Sequence, residues 1–294
     1  MQENREARAD ALAGELRRQD SGHLTLFLGA APGVGKTYAM LSRARELRRQ
    51  GVDLVIGVVE THGRSETAAL IDGHELIPRR QIEYQGHRLD EMDLDAIVQR
   101  QPRIVLVDEL AHRNAPGSRH ERRWQDVLEL LDKGIDVYST VNIQHLESLN
   151  DIVHRITGIR VSETVPDAVL DRLRDIRLVD LPPGELIERL HQGKIYLPDM
   201  AEQALQRFFS APNLAALREL AMQTAADHIE DHLREAQTAH GISALALRRR
   251  VLIAIDGSGN SEYLVRAGRR LAERRDAPWS VVTVERAGRL DPAR

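Results

Sequence analysis

The chain has 294 residues, enough for two domains at about 150 residues each, and its 42% hydrophobic and 29% charged residues are ordinary for a globular protein. The formal net charge of -4 gives no overall basic field for nucleic acid, and the absence of cysteine excludes disulfides, zinc thiolate sites and cysteine nucleophiles. No apolar stretch approaches the roughly 18 residues of a membrane helix, so we expect a soluble cytoplasmic segment without membrane contact of its own.

The predicted elements begin with a charged helical segment over residues 1–20, which lacks the apolar core of a secretory signal. Residues 24–28 form a short apolar run that predicts a buried strand. A glycine-rich turn and a helix over about residues 37–50 follow, and Gly51 ends this helix. Residues 54–59 predict the next strand. Strand, helix and strand in this order predict a parallel unit with a crossover helix.

The alternation of strands and helices continues along the chain. Helices are predicted at residues 93–100, 121–133 and 146–156, and another after Pro182-Pro183-Gly184. Strands are predicted at residues 104–107, from residue 135, and at residues 176–181. The fold class is therefore α/β, with a mostly parallel sheet and flanking helices.

A change of pattern near residue 198 predicts helix as far as residue 239. Leu214, Leu217, Leu220 and Ala221 share one face, which indicates a helical extension packed on the sheet, although the same face could dock a partner or a second copy. Residues 251–255, 261–274 and 280–284 then predict strand, helix and strand, a partial second α/β unit. We therefore expect domain boundaries at residues 1–20, 21–240 and 241–294.

The loop after the first strand carries the strongest chemical signal. Ala30-Ala31-Pro32-Gly33-Val34-Gly35-Lys36-Thr37 matches the phosphate-binding loop (P-loop) pattern except at its first position, where Ala30 follows Gly29. Glycines let backbone amides turn toward phosphates, Lys36 supplies a cation, and the Thr37 hydroxyl suits Mg²⁺. The pattern predicts ATP and Mg²⁺ as cofactors, bound by Ala31, Pro32, Gly33, Val34, Gly35, Lys36, Thr37 and Tyr38. The alternative is a glycine turn with a chance lysine.

Two carboxylates follow the strand at residues 104–107. In P-loop proteins an Asp at this position holds Mg²⁺, a role that suits Asp108 together with Thr37. Glu109 could orient or deprotonate an attacking water. Lys36, Asp108 and Glu109 are therefore the candidate catalytic residues. The alternative is a helix cap at Asp108 and a solvated Glu109.

Three further polar loops follow predicted strands. In residues 111–120, Arg119 could stabilise phosphate charge in its own chain or from a neighbouring subunit, whereas we expect His112 and His120 to be hydrogen-bonded or solvated rather than metal ligands. In residues 139–145, Asn142 or Gln144 could sense a terminal phosphate, and a helix cap at Asn142 is equally compatible. Residues 60–64 are expected near the nucleotide without a defined role.

Taken together, residues about 20–240 resemble the N-terminal cytoplasmic domain of the KdpD family of potassium-responsive sensor histidine kinases. The resemblance lies in the segments at residues 27–41, 57–64, 108–112, 114–120, 140–151 and 213–221. Ala30 is typical of this family. The segment from about Arg249 is similar to the start of a universal-stress-protein-like domain, which in some relatives is implicated in binding c-di-AMP, but it lacks the glycine-rich nucleotide motif of many such proteins.

The resemblance implies a role that composition does not show. It implies a regulatory module that binds ATP, with at most slow hydrolysis, in a two-component kinase controlling potassium-transport genes. The phosphotransfer domains and membrane helices would lie outside this sequence, and this part would face the cytoplasm from the inner membrane. Implied partners are ATP, the other kinase domains, the cognate response regulator and a second copy in a homodimer. A free-standing P-loop ATPase or kinase, or a nucleotide-gated interaction platform, is the alternative.

Overall fold

A computed structural model describes residues 21–192, 208–239, 251–256, 260–274 and 277–283. The predicted helical segment at residues 1–20, and the part of the predicted helix before residue 208, lie outside these residues. Contacts divide the chain into two compact units, residues 1–229 and 230–294. Within the described ranges, no helix combines the length and the apolar character needed to cross a bilayer.

The strands of the first unit follow the predicted apolar runs closely, with additions between residues 75 and 91. They are β1 (Leu24–Gly29), β2 (Leu54–Val58), β3 (Glu75–Leu76), β4 (Arg80–Tyr84), β5 (His87–Glu91), β6 (Ile104–Val107), β7 (Asp136–Asn142) and β8 (Leu173–Val179). In the described part, six of them form one parallel sheet in the order β3-β2-β6-β7-β1-β8. The α/β prediction is therefore confirmed.

Helices connect these strands as crossovers, as the parallel pairing requires. They are α1 (Lys36–Arg49), α2 (Ser65–Ile71), α3 (Leu94–Arg100), α4 (Arg123–Asp132), α5 (Asn150–Thr157), α6 (Asp167–Leu170), α7 (Pro183–His191) and α8 (Ala211–Ala239). The sequence explains two of these helix ends, the start of α3 and the end of α1. Asp93 caps α3 by accepting from the Ala96 amide, and Gly51, with φ of 81°, follows the last turn of α1.

The sheet places every loop of chemical interest at one edge. Because all six strands are parallel, the segments that follow β1, β2, β6, β7 and β8 leave from the same side. β7 lies between β1, which leads into the glycine-rich loop, and β6, which leads into Asp108. Side chains at the end of β7 are therefore positioned between that loop and the carboxylates.

Several parts of the first unit differ from the prediction. Helices α2 and α6 were not predicted, and β8 begins at Leu173 rather than at residue 176. The β4–β5 hairpin was missed because its residues are mostly exposed and charged, so they show no apolar alternation. The predicted helix at residues 146–156 is wrong in its first turn: two 3₁₀ turns, Ile143–His145 and Glu147–Leu149, come first and α5 begins at Asn150. Short 3₁₀ turns are common connectors, and the apolar periodicity alone does not distinguish them from α-helix.

The apolar face of α8 belongs to the core of the first unit. Leu214 is 2% exposed, and Leu217 and Ala221 are fully buried in the same cluster as β1 and β7, with Leu220 packed against it. The prediction of a helical extension packed on the fold is confirmed. This stripe is therefore not a free docking face.

The second unit contains one parallel β-α-β motif in its described residues. β9 (Val251–Ile255) and β10 (Trp279–Thr283) pair in parallel, and α9 (Ser261–Arg274) connects them. A Cβ at Gly268 of α9 would lie 2.3 Å from Ile253 Cδ1, so glycine is needed for this close helix–strand contact. The strand, helix and strand boundaries agree with the prediction within one residue.

The core position of α8 generates a stability prediction. Leu217→Ala should lower the free energy of unfolding by about 2–5 kcal/mol, because it leaves a cavity beside fully buried neighbours. Met222→Ala on the same helix should change it by less than about 0.5 kcal/mol, since Met222 is 38% exposed. Urea denaturation followed by circular dichroism gives both values, and equal losses in the two variants would contradict this assignment.

Candidate functional site

The glycine-rich loop between β1 and α1 forms one wall of a cleft at the carboxyl edge of the sheet. Gly33 and Gly35 have φ of 88° and 104°, backbone conformations that other residues rarely adopt. The first turn of α1 starts at Lys36, so the amides of Lys36, Thr37 and Tyr38 have no partner within the helix. A loop of this shape, followed by a helix N-terminus, is suited to bind an anion.

The cleft, called the phosphate-loop cleft below, is built from five segments that follow strands or begin helices. It is lined by Pro32, Gly33, Gly35, Lys36, Thr37, His62, Arg64, Asp108, Glu109, Ala111, His112, Thr140, Val141, Asn142, His145 and Glu163. The sequence-predicted residues Lys36, Thr37, Asp108 and Glu109 are therefore brought together.

Some predicted loop residues lie outside the cleft lining. The side chains of Ala31 and Val34 are buried in the core, at 0% and 5% exposure, and Tyr38 is 48% exposed to solvent. Any contact of these three residues with phosphates would have to come from their backbone amides. Their assignment to cofactor binding stays a prediction.

Gly29 explains why the loop tolerates alanine at position 30. A Cβ at Gly29 would lie 2.6 Å from Val34 Cγ2 and 2.9 Å from Lys36 Cδ, so a larger residue there would displace the loop. Ala30 is instead buried in the core at 7% exposure. The close contact with Val34 and Lys36 is therefore at Gly29, the last residue of β1, rather than at position 30.

Lys36 reaches across the cleft to the end of β7. Its Nζ donates a hydrogen bond to Asn142 Oδ1. Burial lowers the pKa of Lys36 to about 8, although the nearby Asp108 and Glu109 charges raise it. Asn142 makes no side-chain cap to the 3₁₀ turn that follows it, so the helix-cap alternative is wrong and this side chain belongs to the cleft.

Asp108 is the most enclosed charged group of the cleft, with 1% exposure. Its carboxylate accepts from Thr37 Oγ1 at 3.0 Å, Thr140 Oγ1 at 2.5 Å and the Glu60 amide at 3.2 Å. Burial raises the pKa of Asp108, whereas these hydrogen bonds oppose the shift. Asp108 is therefore fixed by donors from three neighbouring segments, and it does not cap a helix.

Glu109 and His62 form a pair on the opposite wall. His62 Nε2 lies 3.3 Å from Glu109 Oε1, and both residues have positive φ, 49° for His62 and 55° for Glu109. The hydrogen bond lowers the pKa of Glu109 and raises the pKa of His62. Non-glycine residues in this conformation cost about 1–3 kcal/mol each and are concentrated at functional sites. The pair keeps the Glu109 carboxylate ionised beside Asp108.

A buried ion pair that the sequence did not reveal supports Asp108 from behind. Arg123, which is 3% exposed, donates to the Asp108 carbonyl at 2.9 Å and lies 3.5 Å from Glu91 Oε2. Glu91 also accepts from the Ala115 amide at 2.7 Å and lies 3.2 Å from His112 Nε2. Burial raises the pKa of Glu91, but His112, Ala115 and Arg123 lower it overall. No local pattern predicts this contact, since Glu91 ends the unpredicted hairpin.

The remaining candidates of residues 111–120 are engaged elsewhere. Arg119 pairs with Glu129 at 2.6 Å and with Asp95, and it lines a cavity different from the phosphate-loop cleft of its own chain. A role of Arg119 at the site of a neighbouring subunit stays a prediction. His120 Nε2 lies 2.8 Å from Glu129. The prediction that His112 and His120 are hydrogen-bonded is confirmed. In the described ranges, no group of three or more His, Asp or Glu residues is arranged to hold a metal.

Gln144 does not share the position of Asn142. Its Nε2 lies 3.3 Å from His145 Nε2, and it is absent from the cleft lining. His145 lines the cleft and its Nδ1 lies 2.7 Å from the Glu163 carbonyl oxygen, while burial lowers the pKa of His145. Of the two residues considered as phosphate sensors, Asn142 is the one that faces Lys36.

Two arginines approach the glycine-rich loop from different segments. Arg64, at the start of α2, lines the cleft. Arg189, on α7 after β8, points its Nη1 to the Gly33 carbonyl oxygen at 3.4 Å. Residues 60–64 were expected near the nucleotide, whereas no sequence pattern marks Arg189 on the predicted helix after Pro182-Pro183-Gly184.

The donor set at Thr37 and Asp108 fits a magnesium ion. A hydroxyl and a carboxylate oxygen lie 3.0 Å apart beside the loop, and Mg²⁺ prefers such oxygen ligands with others supplied by substrate phosphates and water. Such a site needs only two protein ligands, so it is compatible with the lack of a larger metal-binding cluster in the described residues.

Comparisons with known proteins identify the family of the chain. A family model described as "Osmosensitive K+ channel His kinase sensor domain" matches residues 20–229. The Sensor protein KdpD of Escherichia coli is 50% identical over 277 residues, which cover 94% of this chain and 31% of that protein. The Sensor protein KdpD of Mycobacterium tuberculosis is 48% identical over 270 residues, 92% of this chain and 31% of that protein.

A shorter relative aligns over most of its own length. The Putative sensor protein KdpD of Synechocystis sp. is 49% identical over 264 residues, which are 90% of this chain and 70% of that protein. Against the longer relatives, the chain spans 31% of their length. Because the family model covers most of the first unit and these relatives align over nearly the whole chain, this chain belongs to the KdpD sensor protein family.

Proposed function

We propose that the first unit binds ATP with Mg²⁺ and acts as a regulatory nucleotide-binding module of a potassium-responsive sensor histidine kinase. The observation that carries the proposal is the convergence of Lys36, Thr37, Asp108 and Asn142 around a glycine-rich loop at one edge of the sheet. Bound Mg²⁺ would neutralise phosphate charge, held by Thr37 and Asp108. Lys36 would exchange the Asn142 oxygen for phosphate oxygens.

The regulatory part of the proposal rests on family membership. The relatives are named sensor proteins, and the family model describes a potassium-channel histidine kinase sensor domain. In the whole protein, ATP bound here would shift the balance between the kinase and phosphatase activities that act on a response regulator. That regulator would control potassium-transport genes. We place the unit on the cytoplasmic side of the inner membrane, in a kinase that functions as a homodimer.

A free-standing P-loop ATPase or kinase that turns over substrate is a second candidate, and the Glu109–His62 pair favours it. An ionised carboxylate next to the proposed magnesium ligand is suited to accept a proton from water or from a substrate hydroxyl. The strained backbone of both residues is consistent with a catalytic position. Several turnovers at roughly 1 per second or faster would favour a free-standing ATPase or kinase over a regulatory module.

Lys36→Ala tests the proposed binding directly. It should abolish measurable ATP binding in isothermal titration calorimetry with Mg²⁺, because the cation that pairs with the phosphates is lost. Lys133→Ala makes the same substitution at the exposed end of α4, away from the cleft, and should bind ATP like the wild-type chain. Unchanged ATP affinity in Lys36→Ala, with an unaltered circular dichroism spectrum, would rule out the proposed site.

Glu109→Gln separates binding from hydrolysis. If Glu109 activates water, the variant should lose about 100-fold or more in steady-state ATP turnover while its ATP affinity changes little. Glu121→Gln, at an exposed residue paired with Arg113, is the matched control and should keep wild-type turnover. Equal turnover in the Glu109→Gln and wild-type chains would exclude Glu109 as the base. A wild-type chain that binds ATP without turnover would support the regulatory function and exclude the second candidate.

A further inference from the structure

Two arginines reach the proposed nucleotide site from opposite sides of the loop strand. In the sheet order, β2 lies on one side of β1 and β8 on the other. Arg64 stands at the start of α2, which follows β2, and Arg189 stands on α7, which follows β8. Neither belongs to the P-loop pattern, so any role they have is separate from that of Lys36.

Arg189 is held in place by the core. Its neighbours Leu186 and Leu190 on α7 are 2% and 0% exposed, which fixes the face that Arg189 presents to the loop. The Nη1 atom lies 3.4 Å from the Gly33 carbonyl oxygen and 3.9 Å from the position of a Cβ on Gly35. Arg189 therefore contacts the outer side of the loop where its two glycines turn the backbone.

Arg64 has a different position, inside the phosphate-loop cleft. It shares the lining with Lys36, Asp108 and Glu109, the groups that we assign to the phosphates, to Mg²⁺ and to the attacking water. These groups meet at the terminal phosphate of a bound triphosphate. A guanidinium at this place is suited to bind that phosphate through paired N–H donors.

Three cations, Lys36, Arg64 and Arg189, lie in the cleft or beside its glycine-rich loop. Burial, followed by the positive charge of Arg189, lowers the pKa of Arg64, and Asp108 partly opposes this shift. Like charges brought together in a partly buried site cost free energy, which a bound anion of several charges offsets.

We propose that Arg64 binds the terminal phosphate of ATP, and that Arg189 is a positioning residue that fixes the loop through the Gly33 carbonyl. The inference rests on the proposed ATP-binding function and adds a means of distinguishing ATP from ADP. Arg64 contacts a group that ADP lacks, so it contributes to ATP affinity alone. Arg189 supports amides that hold phosphates common to both nucleotides, so it contributes to both affinities.

The test compares ATP with ADP in each variant by calorimetric titration with Mg²⁺. Arg64→Gln should weaken ATP binding by about tenfold or more and ADP binding by less than about threefold, the size expected for losing a charge-assisted hydrogen bond. Arg189→Gln should weaken ATP and ADP by the same factor, and Arg189→Lys should restore part of both affinities, since an ammonium group can still donate one hydrogen bond to the Gly33 carbonyl. Arg103→Gln removes an equal charge at an exposed residue before β6 and should change neither.

The affinity ratio keeps the test of Arg64 independent of folding, because a partly unfolded variant loses ATP and ADP binding alike. For Arg189→Gln, where equal losses are expected, an unchanged urea unfolding midpoint and partial rescue in Arg189→Lys separate loop positioning from loss of folding. Arg64→Lys retains a cation and should keep most of the ATP preference. Equal losses for the two nucleotides in Arg64→Gln, or no loss, would overturn the assignment of Arg64. A changed ATP to ADP ratio in Arg189→Gln would overturn the role of Arg189. If the wild-type chain binds no ATP, or Lys36→Ala still binds it, the proposed function itself fails.

Discussion

The arrangement of the phosphate-loop cleft depends on the buried carboxylate of Asp108. A charged group with 1% exposure is tolerated only where donors surround it, and here hydroxyls of Thr37 and Thr140 and the Glu60 amide supply them. These donors come from α1, from β7 and from the segment after β2. One carboxylate therefore joins the glycine-rich loop to its neighbours and holds the Thr37 hydroxyl at the place where we propose that Mg²⁺ binds.

Much of this arrangement follows from patterns that are local in sequence. Buried parallel strands give continuous apolar runs, so β1, β2 and β6 were predictable, as was α1 with its stop at Gly51. The carboxyl ends of parallel strands meet at one edge, so the proximity of Lys36 and Asp108 also followed. The glycine-rich loop could be recognised because its chemistry needs eight consecutive positions.

What the sequence did not predict depends on contacts between distant segments. Arg123 lies in a helix whose charged residues look solvated, yet it is buried because it binds the Asp108 carbonyl and Glu91 together. Arg189 is separated from Gly33 by more than half the chain, and only the packing of α7 brings them together. The choice between a cap and a cleft residue at Asn142 depended on where Lys36 points. Glu129 and Asp95 hold Arg119 away from the phosphate-loop cleft of its own chain, and no local pattern shows this.

Hydrogen exchange of backbone amides tests most directly whether the glycine-rich loop binds the phosphates of ATP. In the chain without nucleotide, the amides of residues 33–38 have few intramolecular partners, whereas bound phosphates would accept hydrogen bonds from them. We predict that ATP with Mg²⁺ slows amide exchange in this segment and at Glu109, with little change in the second unit. Exchange in residues 33–38 that is unchanged by saturating ATP would contradict it.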